Sequence, residues 1–560
     1  MHIKAGVPTY RTPAFLWEGL ILYHVYSAKT LIFVVQKFGY DRSKFNNMGI
    51  VARQSIKGTI ATYIGVAVGI VTTFFVQTKA LEPEQIGLID ILLQCSLLFS
   101  GLAQLGTNSS AMRYYPFFKD EKHRDHGFFG WTLIVPMIGF AFFLLAFCLF
   151  KDNIVEFFTK DAAAEAVPFA RYVYFVIPLA FFMLYLSVFE TNSNLLLRIA
   201  LPKFIREVGL RVATLMVYLL YFYKLIDFNG VIVGFSMFYG VATLINVVYL
   251  LTLKRVSFRI DRRFVSAQIR RDFLYYTLFM LTAALAGNVI PMLSKFFLAG
   301  IMGFRLAGVF TIATNMAALV EMPYRSLGAI SRPHISEAMA HGQVAHANAL
   351  CKNVALHQFI AGTFVLFLIW INIDFLFDLL PNGDVYRLGK WAVLLLSLGR
   401  LIYSTLSVAS TALSYSRYYY YSLIFTIFLA AFSIVMNRWL IPQLDINGAA
   451  LASTLSYAIY FVLLLAFVRW RVGVLPLSKQ LLPVMAITIV LFTANWLWTN
   501  TLTSWFGQLF AQRMLGLCLD AGLKSALFVC IGVLALYHLR VSPAVNGLVD
   551  KAISIVVGRR

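Results

Sequence analysis

Charge is scarce in this sequence of 560 residues. Asp, Glu, Lys and Arg make up 13% of it and hydrophobic residues 60%, a balance that excludes both an ordinary soluble domain and a disordered chain. Acidic residues are the scarcer kind, 25 against 47 Lys+Arg. Cysteine is rare as well: Cys95, Cys148, Cys351, Cys518 and Cys530 stand singly, without the paired spacing of a disulfide framework or a zinc site. No P-loop or glycine-rich nucleotide fingerprint occurs, which excludes direct use of ATP. No polar stretch is long enough for a folded soluble domain, so the chain works within a bilayer, and no cofactor is expected.

What fills the sequence is apolar runs, with a mean hydropathy of +0.77. A helix crosses the hydrocarbon core in about 20 residues, and from Met48 onward fourteen such segments can be read. They lie at about 55–79, 87–112, 127–150, 167–190, 205–224, 230–253, 273–299, 306–328, 355–379, 388–414, 419–441, 446–468, 481–500 and 521–540. Lys and Arg alternate between the connections. With 48–57 cytoplasmic, one side carries 28 of them and the other 10, a bias that places both ends of the core in the cytoplasm. The positive excess is therefore explained by topology, and no nucleic acid is expected as a partner. Residues 14–36 are apolar but carry Glu18, His24 and Lys29. The extension 1–47 is read either as an interfacial helix or as a leader upstream of a start at Met48.

The chain also repeats itself. Leu-Ser-Val at 186–188 recurs at 406–408, an offset of 220. Asp227-Phe228-Asn229-Gly230 recurs as Asp445-Ile446-Asn447-Gly448, an offset of 218, and Gly87 after Glu84-Gln85-Ile86 is echoed by Gly308 at an offset of 221. Together these predict a duplicated six-span unit whose copies share one orientation. The expected architecture is an all-α integral membrane protein: a lobe at 48–253, a basic cytoplasmic linker at 254–272, a second lobe at 273–470, and two further spans with a tail at 471–560.

Two stretches carry a family resemblance. MGIVARQSIKGTIATYIGVAVGIVTTFFV, followed by TKALEPEQIGLIDILLQ, resembles the start of bacterial polysaccharide (O-antigen-type) flippases of the multidrug/oligosaccharidyl-lipid/polysaccharide exporter superfamily. The likeness extends over roughly 48–500, the later half mainly through topology and the Asp445-Ile446-Asn447-Gly448 turn. It implies alternating access to a central cavity lined by spans one, two, seven and eight. The implied cargo is an undecaprenyl-pyrophosphate-linked oligosaccharide moved across the bacterial cytoplasmic membrane for surface polysaccharide synthesis, with membrane lipids, a coupling cation or proton and a polysaccharide polymerase as partners. A multidrug or cation exporter of the same fold and a lipid II flippase are the alternatives, and an enzyme is not expected.

Polar residues inside spans are costly, about 2.5–3.5 kcal/mol for a mid-span charge, and so mark cavities or partners. In the second span Asp90, Gln94, Gln104 and Asn108 fall on one helical face if the span is continuous; they form either a cavity wall or polar contacts between helices. Asn288 and Lys295 share a face of the seventh span around Pro291. Glu321 and Arg325 are four residues apart in the eighth, either as an ion pair or with Glu321 as an ion-coupling site, like Asp90, and Arg325 free for phosphate. Arg400 lies mid-span with Ser404, Ser407 and Thr411 on its face. Its guanidinium suits bidentate phosphate binding, and the competing reading is a salt bridge to Glu321 or Asp90 on another span. Lys57, near the inner end of the first span, completes the candidates for substrate binding. Asp374 and Asp378 lack the donor-binding motif and large loop of a catalytic pair.

Overall fold

The computed structural model describes residues 50–120, 124–159, 166–253, 271–273, 275–277, 292–501 and 513–556. The extension 1–47, residues 254–270 of the basic linker, Asn288 and the side chain of Lys57 lie outside them. Among the described residues there are helices and no strand, as a bilayer requires of a chain that must satisfy its backbone within each segment. The helices that matter below are α1 (Ile50–Val71), α2 (Pro83–Ala103), α3 (Thr107–Phe118), α4 (Phe128–Thr159), α5 (Val176–Leu195), α6 (Leu210–Phe222) and α7 (Phe228–Thr252). They continue with α8 (Phe304–Ala318), α9 (Met322–Ala340), α10 (Val344–Ile371), α11 (Lys390–Ser414), α12 (Tyr421–Phe467), α13 (Leu481–Thr501), α14 (Arg513–His538) and α15 (Pro543–Val556).

Eleven helices are long and apolar enough to cross a membrane among the described residues, where the sequence suggests fourteen. Three local causes account for the difference. Helix α12 holds two expected spans in one run, broken where Pro442 precedes Asp445 at φ +49°. The stretch 205–224 is helical but carries Arg206, Glu207 and Arg211, which are used laterally: Arg206 pairs with Glu190 at 2.8 Å, and an Arg211 guanidinium NH donates to the Gly65 carbonyl at 2.9 Å. The seventh segment, 273–299, is described only at its ends.

Caps follow sequence signals. Pro83 opens α2 behind Glu82, whose amide donates to Gln85 Oε1 at 3.1 Å in a capping box. Asp227 caps α7 by accepting from the Gly230 amide at 2.8 Å. That bond and a second from the Asn229 side-chain Nδ2 hold the Asp227 carboxyl below the usual carboxylate range.

Helices α2, α4, α5, α6 and α7 pack together, as do α8 to α12, and the two groups meet chiefly where α2 lies against α8. This seam is nearly symmetric. A Cβ on Gly87 would sit 2.0 Å from the Phe304 carbonyl oxygen, and one on Gly308 1.9 Å from that of Pro83. Both pairs are related by the same offset of 221, so glycine is what lets the two backbones touch. The Glu84–Arg305 ion pair at 3.6 Å lies beside them. Helices α13 and α14 pack on α10 and are tied there by polar contacts. Asn372 Nδ2 donates to Ser525 Oγ at 2.8 Å, and Trp498 Nε1 donates to Asp520 Oδ1 at 2.9 Å.

Candidate functional site

A cavity of about 840 Å³ lies among the short helix 292–302 and helices α8, α9, α11 and α12. Its closed end is formed by Ser294, Lys295 and Phe310, all buried, and its other end by Tyr415 and Tyr419, which are 48% and 53% exposed. The described lining comes from the second helix group alone. Of the walls expected from spans one, two, seven and eight, spans seven and eight do contribute, but spans ten to twelve supply most of the surface and no described residue of spans one or two takes part.

The reason lies in what the first group does with its polar face. The expected single face of the second span does not exist, because the helix breaks at Gln104–Gly106, where Leu105 takes φ +51° and Gly106 φ +78°. Asn108 then lies in α3. Gln104 Nε2 and Asn108 Nδ2 both donate to Ser187 Oγ, at 3.2 and 3.0 Å, filling the space between helices. Ser187 and Ser407 are the repeated serines of the 220 offset. The first is engaged by two side-chain amides, whereas the second lines the cavity.

Asp90 and Gln94 lie at the seam between the groups. Asp90 Oδ2 accepts from Lys295 Nζ at 2.7 Å and from Thr311 Oγ1 at 2.8 Å, while Gln94 Nε2 donates to Oδ1 at 3.3 Å. Thr311 is the 221-offset counterpart of Asp90. Lys295 thus touches the cavity's closed end and the opposite helix group at once, where sequence spacing alone placed it beside Asn288.

Arg400 is brought to Glu321, its guanidinium 2.8 Å from Oε1, with the two side chains 23% and 17% exposed. Glu321 therefore serves α11 rather than Arg325 in its own helix. Arg325 is exposed into the cavity and has no ion-pair partner among the described residues. One further cation, Arg332, was missed by the spacing argument although it stands seven residues after Arg325 on the same face. Its guanidinium donates to Tyr324 Oη at 2.7 Å. Also missed were the aromatic residues of the wall: Tyr403 lies 5.9 Å from Tyr324 and 5.4 Å from Tyr457, ring centre to ring centre. Tyr403 follows Arg400 by three residues and precedes Ser407 by four, a helical stripe that could have revealed it.

Among the described lining residues four are cationic, Lys295, Arg325, Arg332 and Arg400, and one, Glu321, is acidic. Asp374 and Asp378, at the far end of the bundle, are paired with Lys390 and Arg387. No group of His, Cys, Asp and Glu suited to a metal ion occurs among the described residues.

The described residues form a helical membrane bundle closed at one end by a glycine seam and holding a polar cavity, and solved multi-pass transporters share this fold. Solved structures agree: the lipid II flippase MurJ in an inward closed conformation superposes with a TM-score of 0.64 at 11% identity, covering 85% of this chain and 98% of that one. An inward-facing multidrug resistance MATE family transporter of the MOP superfamily gives 0.56 at 17%, over 74% and 94%. A MOP superfamily transporter from Pyrococcus furiosus gives 0.54 at 16%, over 76% and 96%. No curated protein matches the chain in sequence. Residues 51–339 match the family model described as polysaccharide biosynthesis protein, and the chain belongs to that family.

Proposed function

We propose that the protein is a flippase that carries an undecaprenyl-pyrophosphate-linked oligosaccharide across the bacterial cytoplasmic membrane by alternating access, for surface polysaccharide synthesis. The observation that supports this most is the pair Arg325 and Arg332. They stand on one face of α9 beside the cavity, about 10.5 Å apart along the axis, and neither has a carboxylate partner among the described residues. Two guanidinia suit a diphosphate, each oxygen group meeting a planar fork. Arg400 is held by Glu321 and supports the cavity's charge from within the wall.

With the basic connections taken as cytoplasmic, the exposed end of the cavity faces the cytoplasm, and we read the conformation as inward-open. The α2–α8 seam and the Asp90–Lys295 bond then form the closed outer gate. In this reading Asp90 and Glu321, each bonded to a cation, are the groups that a coupling cation or proton would compete for. Four cations against one carboxylate disfavour the multidrug-exporter reading, because a cationic drug would meet like charge. A polysaccharide polymerase would receive the cargo on the far side.

The test is export of surface polysaccharide by a strain whose own copy is replaced. Arg325→Ala with Arg332→Ala abolishes export at normal membrane abundance, and the double Lys variant is intermediate, since the point charges survive but the forks do not. Normal export by a well-expressed double Ala variant would overturn the assignment.

A further inference from the structure

Helix α12 has two working faces at the end where the cavity opens. Its first half turns Ser422, Thr426 and Ser433 to the cavity and Ile424, Phe425 and Phe428 the other way. Its second half does the same with Tyr457 and Tyr460 against Leu463, Phe467 and Trp470. Between the two outward faces runs a groove of about 570 Å³, lined only by aliphatic and aromatic side chains, with Ala466 in its wall. Groove and cavity stand back to back across one layer of rings: Phe425 lies 6.5 Å from Tyr460 and 5.4 Å from Phe467, centre to centre. Ile424 and Trp470 are 55% and 71% exposed, so the groove opens on the flank of the bundle, where a spanning helix meets lipid.

One end of the groove carries charge. Arg471 sets its guanidinium 3.9 Å from the centre of the Trp470 ring, a cation–π contact that fixes the cation there. Arg469, exposed, precedes Trp470. Arg417 lies 4.8 Å from the centre of the Tyr418 ring, which in turn is 6.2 Å from Phe467 in the groove wall. None of the three arginines has a carboxylate partner among the described residues.

An apolar trough alone accepts any acyl chain. Cations gathered at its end select by head group. A zwitterionic lipid brings an ammonium that they repel, whereas an anionic phospholipid presents phosphate oxygens alone, which guanidinia hold by charge-assisted hydrogen bonds. Each basic residue near a membrane surface adds about fivefold in affinity for anionic lipid.

We infer that this groove binds one anionic phospholipid, its chains along Phe425, Phe428 and Leu463 and its phosphate at Arg417, Arg469 and Arg471. The occupant is a lipid of the bilayer and not the cargo, because Arg325 and Arg332, the cations assigned to the cargo's pyrophosphate, stand in the cavity beyond the ring layer. Seated there, the lipid braces the two halves of α12, whose opposite faces form part of the cavity wall.

The test uses purified, delipidated protein in a neutral detergent, titrated with phosphatidylglycerol or with phosphatidylcholine of the same chains and read by native mass spectrometry. The first phosphatidylglycerol is expected to bind at least tenfold more tightly than the first phosphatidylcholine. Arg469→Ala with Arg471→Ala should bring that ratio close to one, and Lys at both positions should keep most of it. Ala466→Trp, which fills the groove at unchanged charge, should weaken the first site for both lipids. Arg198→Ala with Lys203→Ala, which removes two cations from a different connection, should leave the ratio as it was. Equal affinity of the two lipids for the unaltered protein would overturn the inference, and so would an equal loss in the Arg198 and Lys203 variant, which would reveal a general basic surface in place of a site. A polyprenyl pyrophosphate without sugar that displaces phosphatidylglycerol at equal concentration, and loses its own binding in Ala466→Trp, would overturn it as well by making the groove the seat of the cargo's tail. In each case the flippase reading is decided separately, by Arg325 and Arg332.

Discussion

Asp90→Asn isolates the bond that holds the closed end of the cavity shut. In the structure the carboxylate accepts from Lys295 at 2.7 Å and from Thr311 at 2.8 Å, with the Lys295 and Asp90 side chains only 9% and 14% exposed. At 2.7 Å and an effective dielectric constant of 20, the raw attraction of the two charges is about 6 kcal/mol, most of which offsets their desolvation. A net value of about 1.5–3 kcal/mol is what a charge-assisted hydrogen bond retains. The bond joins α2 to the 292–302 helix, so it exists only while the two helix groups touch at the seam. Its loss should therefore shift the balance toward the separated state by about 10- to 100-fold. Spin labels at Tyr223 and Leu388, both well exposed and on opposite groups near that end, would report the change as a new, longer distance in pulsed electron resonance. Exchanging the charges, Asp90→Lys with Lys295→Asp, should restore the short distance. An unchanged distance distribution in Asp90→Asn would refute the idea that this bond latches the gate.

Other substitutions separate packing from binding. Gly308→Ala places a methyl 1.9 Å from the Pro83 carbonyl oxygen. At an overpacking cost of about 1–3 kcal/mol it should lengthen the same label distance with no change of charge. Arg400→Ala strands the half-buried Glu321 carboxylate, so membrane abundance or thermal stability should fall, and Glu321→Gln in the same chain should recover it; loss of export at full abundance without rescue would instead make Arg400 a substrate contact. Asn108→Ala removes one amide contact to Ser187 worth about 0.6 kcal/mol, so a small drop in melting temperature with near-normal export is expected, and a severe export defect would count against a purely helix-joining role. Asp520→Asn weakens the contact that Trp498 makes to α14, and protease accessibility of the α13–α14 pair should rise while the cavity residues keep their labelling pattern.

Some of this was legible in the residues alone, for physical reasons that are local. Apolar runs of span length, alternating basic connections and cap signals such as Glu82-Pro83-Glu84-Gln85 act over a few residues, so composition and spacing determined a helical membrane bundle with a duplicated unit. The Gly87/Gly308 echo was one mark of that duplication, and only the structure showed that the backbones touch there. Partnerships were another matter. Asp90, Lys295 and Thr311 come from three separate segments, as do Gln104, Asn108 and Ser187, and no periodicity within one helix reveals which charge another helix will present. Arg400 could be read equally as a phosphate ligand or as one half of an ion pair, and only the packing of α11 against the α8–α9 junction brought Glu321 to 2.8 Å. The break at Leu105 and Gly106 likewise needed the third dimension, because neither residue forbids a helix by itself. Sequence therefore determined which residues had to avoid lipid. Tertiary structure decided which of them neutralise one another and which, like Arg325, are left facing a cavity, since that depends on distances between helices that the order of residues does not contain.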